Sequence, residues 1–169
     1  MTDPVRRVHY YSGQLLTPED FQSEQDYHRS MRYLHNRLLG HGVVHGLGIT
    51  VGNGPTVVVS PGLAVDACGR EIVLAEEVHV EVREPSDPDG ALDVTATWAQ
   101  EPDSFVVPVE GTDEPPFTRW LERPQLALVP AGEAAAESVV LGRVLFSGGE
   151  VTAVDTSGRS AWQRAESGS

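Results

Sequence analysis

Residues 17–40 carry the start, the buried face and the stop of one long helix, and the glycines behind it leave no room for a second. Thr17 precedes Pro18, whose missing N–H costs nothing at the first helical position, and Glu19 and Asp20 complement the positive end of the helix dipole. Tyr27, Met31, Leu34 and Leu38 then recur at steps of four, three and four, which places them on one stripe. Gly40 is the expected left-handed stop, and Gly42, Gly46 and Gly48 break any continuation. The spacing predicts a helix of roughly 22 residues, about 33 Å long.

After the helix the hydrophobic period becomes that of strands. Residues 43–44, 48–51, 56–60, 63–65, 71–74 and 78–82 are short β-branched runs, with turns expected at Asn53-Gly54, Pro61-Gly62 and Cys68-Gly69. Further strands are predicted at 92–98, 125–129, 139–146 and 150–154, the last two joined as a hairpin through Ser147-Gly148-Gly149. The fold class is α+β: one long N-terminal helix followed by a compact, mainly antiparallel β-body, a sandwich or small barrel. Residues 1–42 form an extended lead-in and docking helix. Residues 43–156 form the β-rich body with a long acidic loop at 101–123, and residues 157–169 read as a flexible tail.

Charge is distributed unevenly. Residues 1–42 hold five acids and five arginines, so the net charge of −13 resides entirely in the remainder. Such a body repels nucleic acid, whose binding needs a basic footprint. The chain has no lysine, which removes Schiff-base chemistry and the phosphate-loop lysine. Asp87-Pro88-Asp89 and Asp113-Glu114 lack the alternating oxygen ligands of a calcium loop. No apolar run is long enough to cross a bilayer as a helix, and no cationic leader precedes Tyr10; membrane insertion and export by a standard signal are not expected.

Cys68 is the only cysteine, so neither an internal disulfide nor a four-cysteine zinc site is open to the chain. His41 and His45 are four apart in what reads as an entry into a strand, where they would lie about 13 Å apart along the axis. Asp66, Gly69 and Arg70 read as turn architecture, with an Asp66–Arg70 contact across the turn. No glycine-rich cradle, nucleophile elbow or metalloprotease motif is present. No catalytic residue, metal ligand or cofactor site is therefore assigned.

The ordered phrases Tyr11-Ser-Gly-Gln-Leu-Leu-Thr-Pro-Glu-Asp-Phe21, Glu24 to His28, His35-Asn-Arg-Leu-Leu39, Gly42-Val-Val-His-Gly-Leu47 and Ser60 to Ile72 resemble a family of small proteins encoded with extracellular contractile injection systems, which are phage-tail-like particles. The resemblance covers most of residues 10–130. His41 and His45 stand where that family would be expected to carry a Trp and a Cys. The resemblance implies a non-catalytic structural or adaptor subunit at the baseplate or a fibre attachment, made in the cytoplasm and released with the particle on lysis. Its partners would be other baseplate or fibre subunits, and a homo-oligomer is compatible with it.

On that reading Tyr27, His28, Met31, Arg32, His35 and Arg37 reach a partner from the helix, and Tyr10, Tyr11 and Leu15 anchor the lead-in. The alternative from another class is a carbohydrate- or surface-binding module using Trp98, Phe117 and Trp120 as a stacking platform. A metal enzyme built on His41, His45, Asp66 and Cys68 is the least favoured.

Overall fold

A computed structural model of the chain describes residues 5–82, 90–106, 117–147 and 150–164. The Gly148-Gly149 turn, the acids at 87–89 and 113–114 and residues 165–169 lie outside them. Helix α1 spans Pro18–Leu39, 22 residues. Its first turn is closed by Asp20, whose carboxylate accepts the Thr17 N–H at 3.0 Å, while the Asp20 N–H donates back to the Thr17 carbonyl at 3.1 Å. At the other end the Gly40 N–H bonds the Asn36 carbonyl at 3.0 Å. Gly40 is not in the left-handed helical conformation expected of it. Its φ of 140° and ψ of −175° put it in an extended mirror region that only glycine enters readily, and a Cβ there would overlap the Gln163 carbonyl. The helix ends because the chain must pass straight into a strand beside residues 160–163.

The strands are β1 (Gly42–Gly46), β2 (Ile49–Val51), β3 (Thr56–Val59), β4 (Gly62–Val65), β5 (Glu71–Leu74) and β6 (Val78–Glu81). They continue with β7 (Ala91–Thr97), β8 (Gln100–Phe105), β9 (Phe117–Glu122), β10 (Gln125–Pro130), β11 (Val139–Ser147) and β12 (Glu150–Asp155). All named pairings are antiparallel. They make three open sheets, in the orders β1-β4-β5, β2-β3-β6 and β10-β7-β11-β12, and a separate β8–β9 ribbon. No sheet closes into a barrel. The alternation along β3 sends Val57 and Val59 inward, and these meet Leu47, Ile72, Val94, Leu141 and Val144 in one core fed by all three sheets. Each of these side chains is fully buried, contributing about 1.5–3 kcal/mol by removal from water.

Two segments differ from the sequence reading. Residues 101–123, expected as an irregular acidic loop, begin and end as the paired strands β8 and β9. Almost every side chain of this ribbon is exposed, so it lacks the half-buried alternation by which a strand is recognised. Residues 160–163, expected within a flexible tail, run along β1: the Val43 N–H bonds the Ser160 carbonyl at 2.7 Å, and His41 and Gln163 exchange backbone bonds at 3.1 and 2.9 Å. The role is carried mostly by backbone, which leaves no pattern in the side chains.

The helix is attached through the turn between β4 and β5. Asp66 is buried, and its carboxylate accepts the Cys68 and Arg70 N–H groups at 2.8 and 2.9 Å and Arg70 Nε at 2.6 Å. Arg70 continues to Glu137 at 2.7 Å, with its guanidinium 5.1 Å from the centre of the Trp98 ring. Gly69, at a φ of 86°, lies so close to α1 that a Cβ would overlap the Tyr33 carbonyl. Asn36 Nδ2 reaches across to the Gly69 carbonyl and to Glu71 Oε1, both at 2.9 Å, and Arg32 Nε meets Glu71 Oε2 at 3.0 Å. The Tyr33 hydroxyl is buried in this seam without a partner among the described residues, and burial raises its pKa above the ordinary phenol value.

A second ion pair ties the core sheet. Arg143 of β11 faces Asp93 of β7 in register, with Nε–Oδ1 at 2.7 Å and Nη2–Oδ2 at 3.3 Å, and the Gly132 N–H donates to Asp93 at 2.8 Å. Burial pushes the Asp93 carboxyl up, but the bonds from Arg143 and Gly132 outweigh it and hold the group below its usual value. A depressed folded pKa stabilises the fold above the unfolded value, about 3.9, and that contribution is lost as pH falls through the folded one. Asp93→Asn is therefore expected to lower the melting temperature by several degrees at pH 7, with the gap to the wild type narrowing below about pH 4 in a calorimetric pH series. Asn36→Ala is expected to cost about 1–2 kcal/mol and to speed amide hydrogen exchange in the C-terminal half of α1 while the core strands stay protected.

Candidate docking surface on the helix

The side of α1 that faces the body is its polar side. At about 100° per residue, Arg29, Arg32, Tyr33 and Asn36 occupy one arc, whereas Tyr27, Met31, Leu34 and Leu38 lie within about 60° of one another on the opposite one. No residue of α1 is fully buried. The apolar stripe, which amphipathicity alone would aim at the core, points outward because Asn36 and Arg32 bind Glu71 and Gly69 from the other face.

The lead-in runs beside the first half of the stripe. Val5 and Arg6 line a groove with Ser23, Tyr27, Ser30 and Met31, Tyr27 and Met31 are half-buried, and the Tyr10 hydroxyl donates to the Glu24 carboxylate. That bond is the first cause of the raised Tyr10 pKa, since losing the phenol proton would set two anions against each other. The Tyr11 N–H bonds Gln14 Oε1 at 3.2 Å, which shapes the turn before the helix. Toward the C-terminal end the stripe is open: Leu34 is 40% and Leu38 69% exposed, and Leu15 below the helix start is 86% exposed.

The remaining partner-binding candidates occupy three different settings. His28 is exposed, 3.8 Å from Glu24 and edge-on to Tyr27 at 5.2 Å between ring centres. His35 is exposed, next to the open end of the stripe. Arg32 is committed to Glu71, and Arg37 runs past Gly69, so both serve the attachment seam. The residues that sequence reasoning missed are Asn36, Tyr33 and Glu71. Asn36 and Glu71 are 35 positions apart, a separation invisible to periodicity.

On the opposite flank of the helix, the β8–β9 ribbon stands across a cleft lined by Phe21, His28, Arg29, Arg32 and Trp120. The aromatic residues of the proposed platform occupy two settings. Trp98 packs on the core beneath Arg70, while Phe117 gathers Trp120 at 4.6 Å and Phe105 at 6.3 Å, with ring planes at 73° and 61°. Edge-to-face rings stabilise the ribbon. His45 lies on β1, His41 bridges to Gln163, Asp66 is occupied by the turn, and Cys68 is exposed. Among the described residues, no three His, Cys, Asp or Glu side chains come together as metal ligands. No described helix is long and apolar enough to cross a membrane.

No protein-family model matches the chain, and no curated protein matches it. Among solved structures the fold is similar to that of a chain in the type VI secretion system TssK-TssF-TssG baseplate subcomplex, with a TM-score of 0.55 at 14% identity over 96% of this chain and 60% of that one. A chain of the baseplate complex from the type VI secretion system aligns at a TM-score of 0.48 and 14% identity, covering 96% of this chain and 58% of its own length. A TssK crystal structure aligns at 0.46 and 12% identity, covering 96% and 41%. This chain thus spans no more than 60% of the length of these neighbours. Its helix and open β-body form a fold similar to that of a chain in the type VI secretion baseplate subcomplex.

Proposed function

We propose that this protein is a non-catalytic structural or adaptor subunit of a phage-tail-like contractile injection particle, docking to a baseplate or fibre subunit through α1 and its lead-in. The observation that carries this reading is the reversed helix: α1 holds its own body with Arg32 and Asn36 and turns Leu34 and Leu38 to solvent. An apolar row exposed this way costs free energy until something covers it, roughly 25 cal/mol per Å². The near-neutral charge of residues 1–42 fits the same role, since an approaching subunit meets less repulsion there than at the acidic body. The phrase-by-phrase resemblance of residues 10–130 and the shared baseplate fold agree on the kind of assembly.

The carbohydrate-binding alternative is less favoured by an arrangement in which Trp98 lies under Arg70 while Phe117 meets Trp120 edge to face. The docking reading is tested by Leu34→Asp with Leu38→Asp. Both positions are exposed, so the melting temperature of the purified double variant is expected to change little. Its co-purification with particles from a strain lacking the wild-type protein is expected to fall to background. Retention of the double variant at the wild-type level would refute docking through the stripe.

A further inference from the structure

Three strand edges end on one groove of the body. β5, β6 and β10 are each outermost in their sheets. A cleft of about 700 Å³ lies among them, floored by Val73, Leu74, Val78, Val80, Leu121 and Leu126. On the other side of its sheet β1 is covered by residues 160–163, so the fold closes one edge with its own chain. Among the described residues nothing pairs with the outer edge of β6.

The register fixes which groups of β6 are free. The Val82 N–H donates to the Pro55 carbonyl at 2.7 Å, so in the alternating antiparallel ladder Val80 and Val78 spend their backbone bonds on Val57 and Val59. The N–H and C=O groups of His79 and Glu81 then point into the groove. A row of free backbone groups beside an apolar floor is the arrangement that an added strand completes. The charged rim says what such a strand carries. Glu76, Glu81 and Glu122 line it against Arg123, and Arg123 is itself held by Glu101 at 3.1 Å.

We infer that this groove takes an extended segment of a partner protein, alternating apolar and basic residues, which adds to β6 as a fourth strand of the β2-β3-β6 sheet. Apolar side chains of the segment settle between Val73 and Leu126, and its Lys or Arg side chains meet the glutamates of the rim. No residue of α1 lines the groove, so this site stands or falls independently of docking through the helix.

The test uses the full chain and a labelled peptide of about eight residues, the usual strand length, alternating Val and Lys, beside a Val–Glu peptide of equal length. Fluorescence anisotropy is expected to report saturable binding of the first peptide alone. Hydrogen exchange is expected to slow at the amides of residues 79 and 81 on saturation. His79→Pro removes one groove-facing N–H and is expected to weaken binding about tenfold or more. Should that variant fail to fold, Glu76→Lys with Glu81→Lys decides: both side chains are exposed, and the swap is expected to transfer preference to the Val–Glu peptide. Absence of Val–Lys binding, equal binding of the two peptides, or unchanged exchange at 79 and 81 overturns the inference.

Discussion

Asp66 holds a negative charge where almost no water reaches it, and three donors from the next four residues make that tolerable. Their bonds fix the turn between β4 and β5, and the turn in turn sets Gly69 and Glu71 at the height where α1 can meet them. Removing the Arg70 partner alone would leave a buried carboxylate short of compensation, which is a heavier cost than losing a surface pair. The orientation of the helix, and hence the exposure of its apolar stripe, follows from this one satisfied group.

Much of the fold is legible in local sequence. The helix bounds follow from Thr17, Pro18 and Gly40, and the strands follow from β-branched runs parted by glycine and proline. What fails to show locally has a common physical cause. The direction in which α1 faces is decided by Asn36 bonding to residues 33 and 35 positions away, and amphipathicity alone suggests the reverse. The ribbon at β8 and β9 is exposed on both faces, so no burial imprints a pattern on it. Asp93 and Arg143 sit 50 positions apart inside runs that otherwise read as plain apolar strands.

The candidate site was legible in its residue types more than in its geometry. Tyr27, Met31, Leu34 and Leu38 form the expected stripe, but the sequence does not say that the first two would be half-buried and the last two open. Arg32 and Arg37 look like reaching cations on a helix drawn alone, and tertiary contacts bring both to the attachment seam. The aromatic residues near the ribbon separate for a similar reason: Trp98 ends a core strand under Arg70, whereas Trp120 belongs to a ribbon with no core beneath it. Polar attachment and apolar display are thus two sides of one helix.

The strap of residues 160–163 along β1 has a temporal consequence. β1 leaves the ribosome about 120 residues before one of its two neighbours, a closure that carries a large entropic cost before any contact repays it. Until then the outer backbone groups of His41 and Val43 are bare. Nascent chains of this protein therefore pass through a stage in which a sticky strand waits beside a finished helix, and chaperone demand should be set by the speed of translation between β1 and its strap.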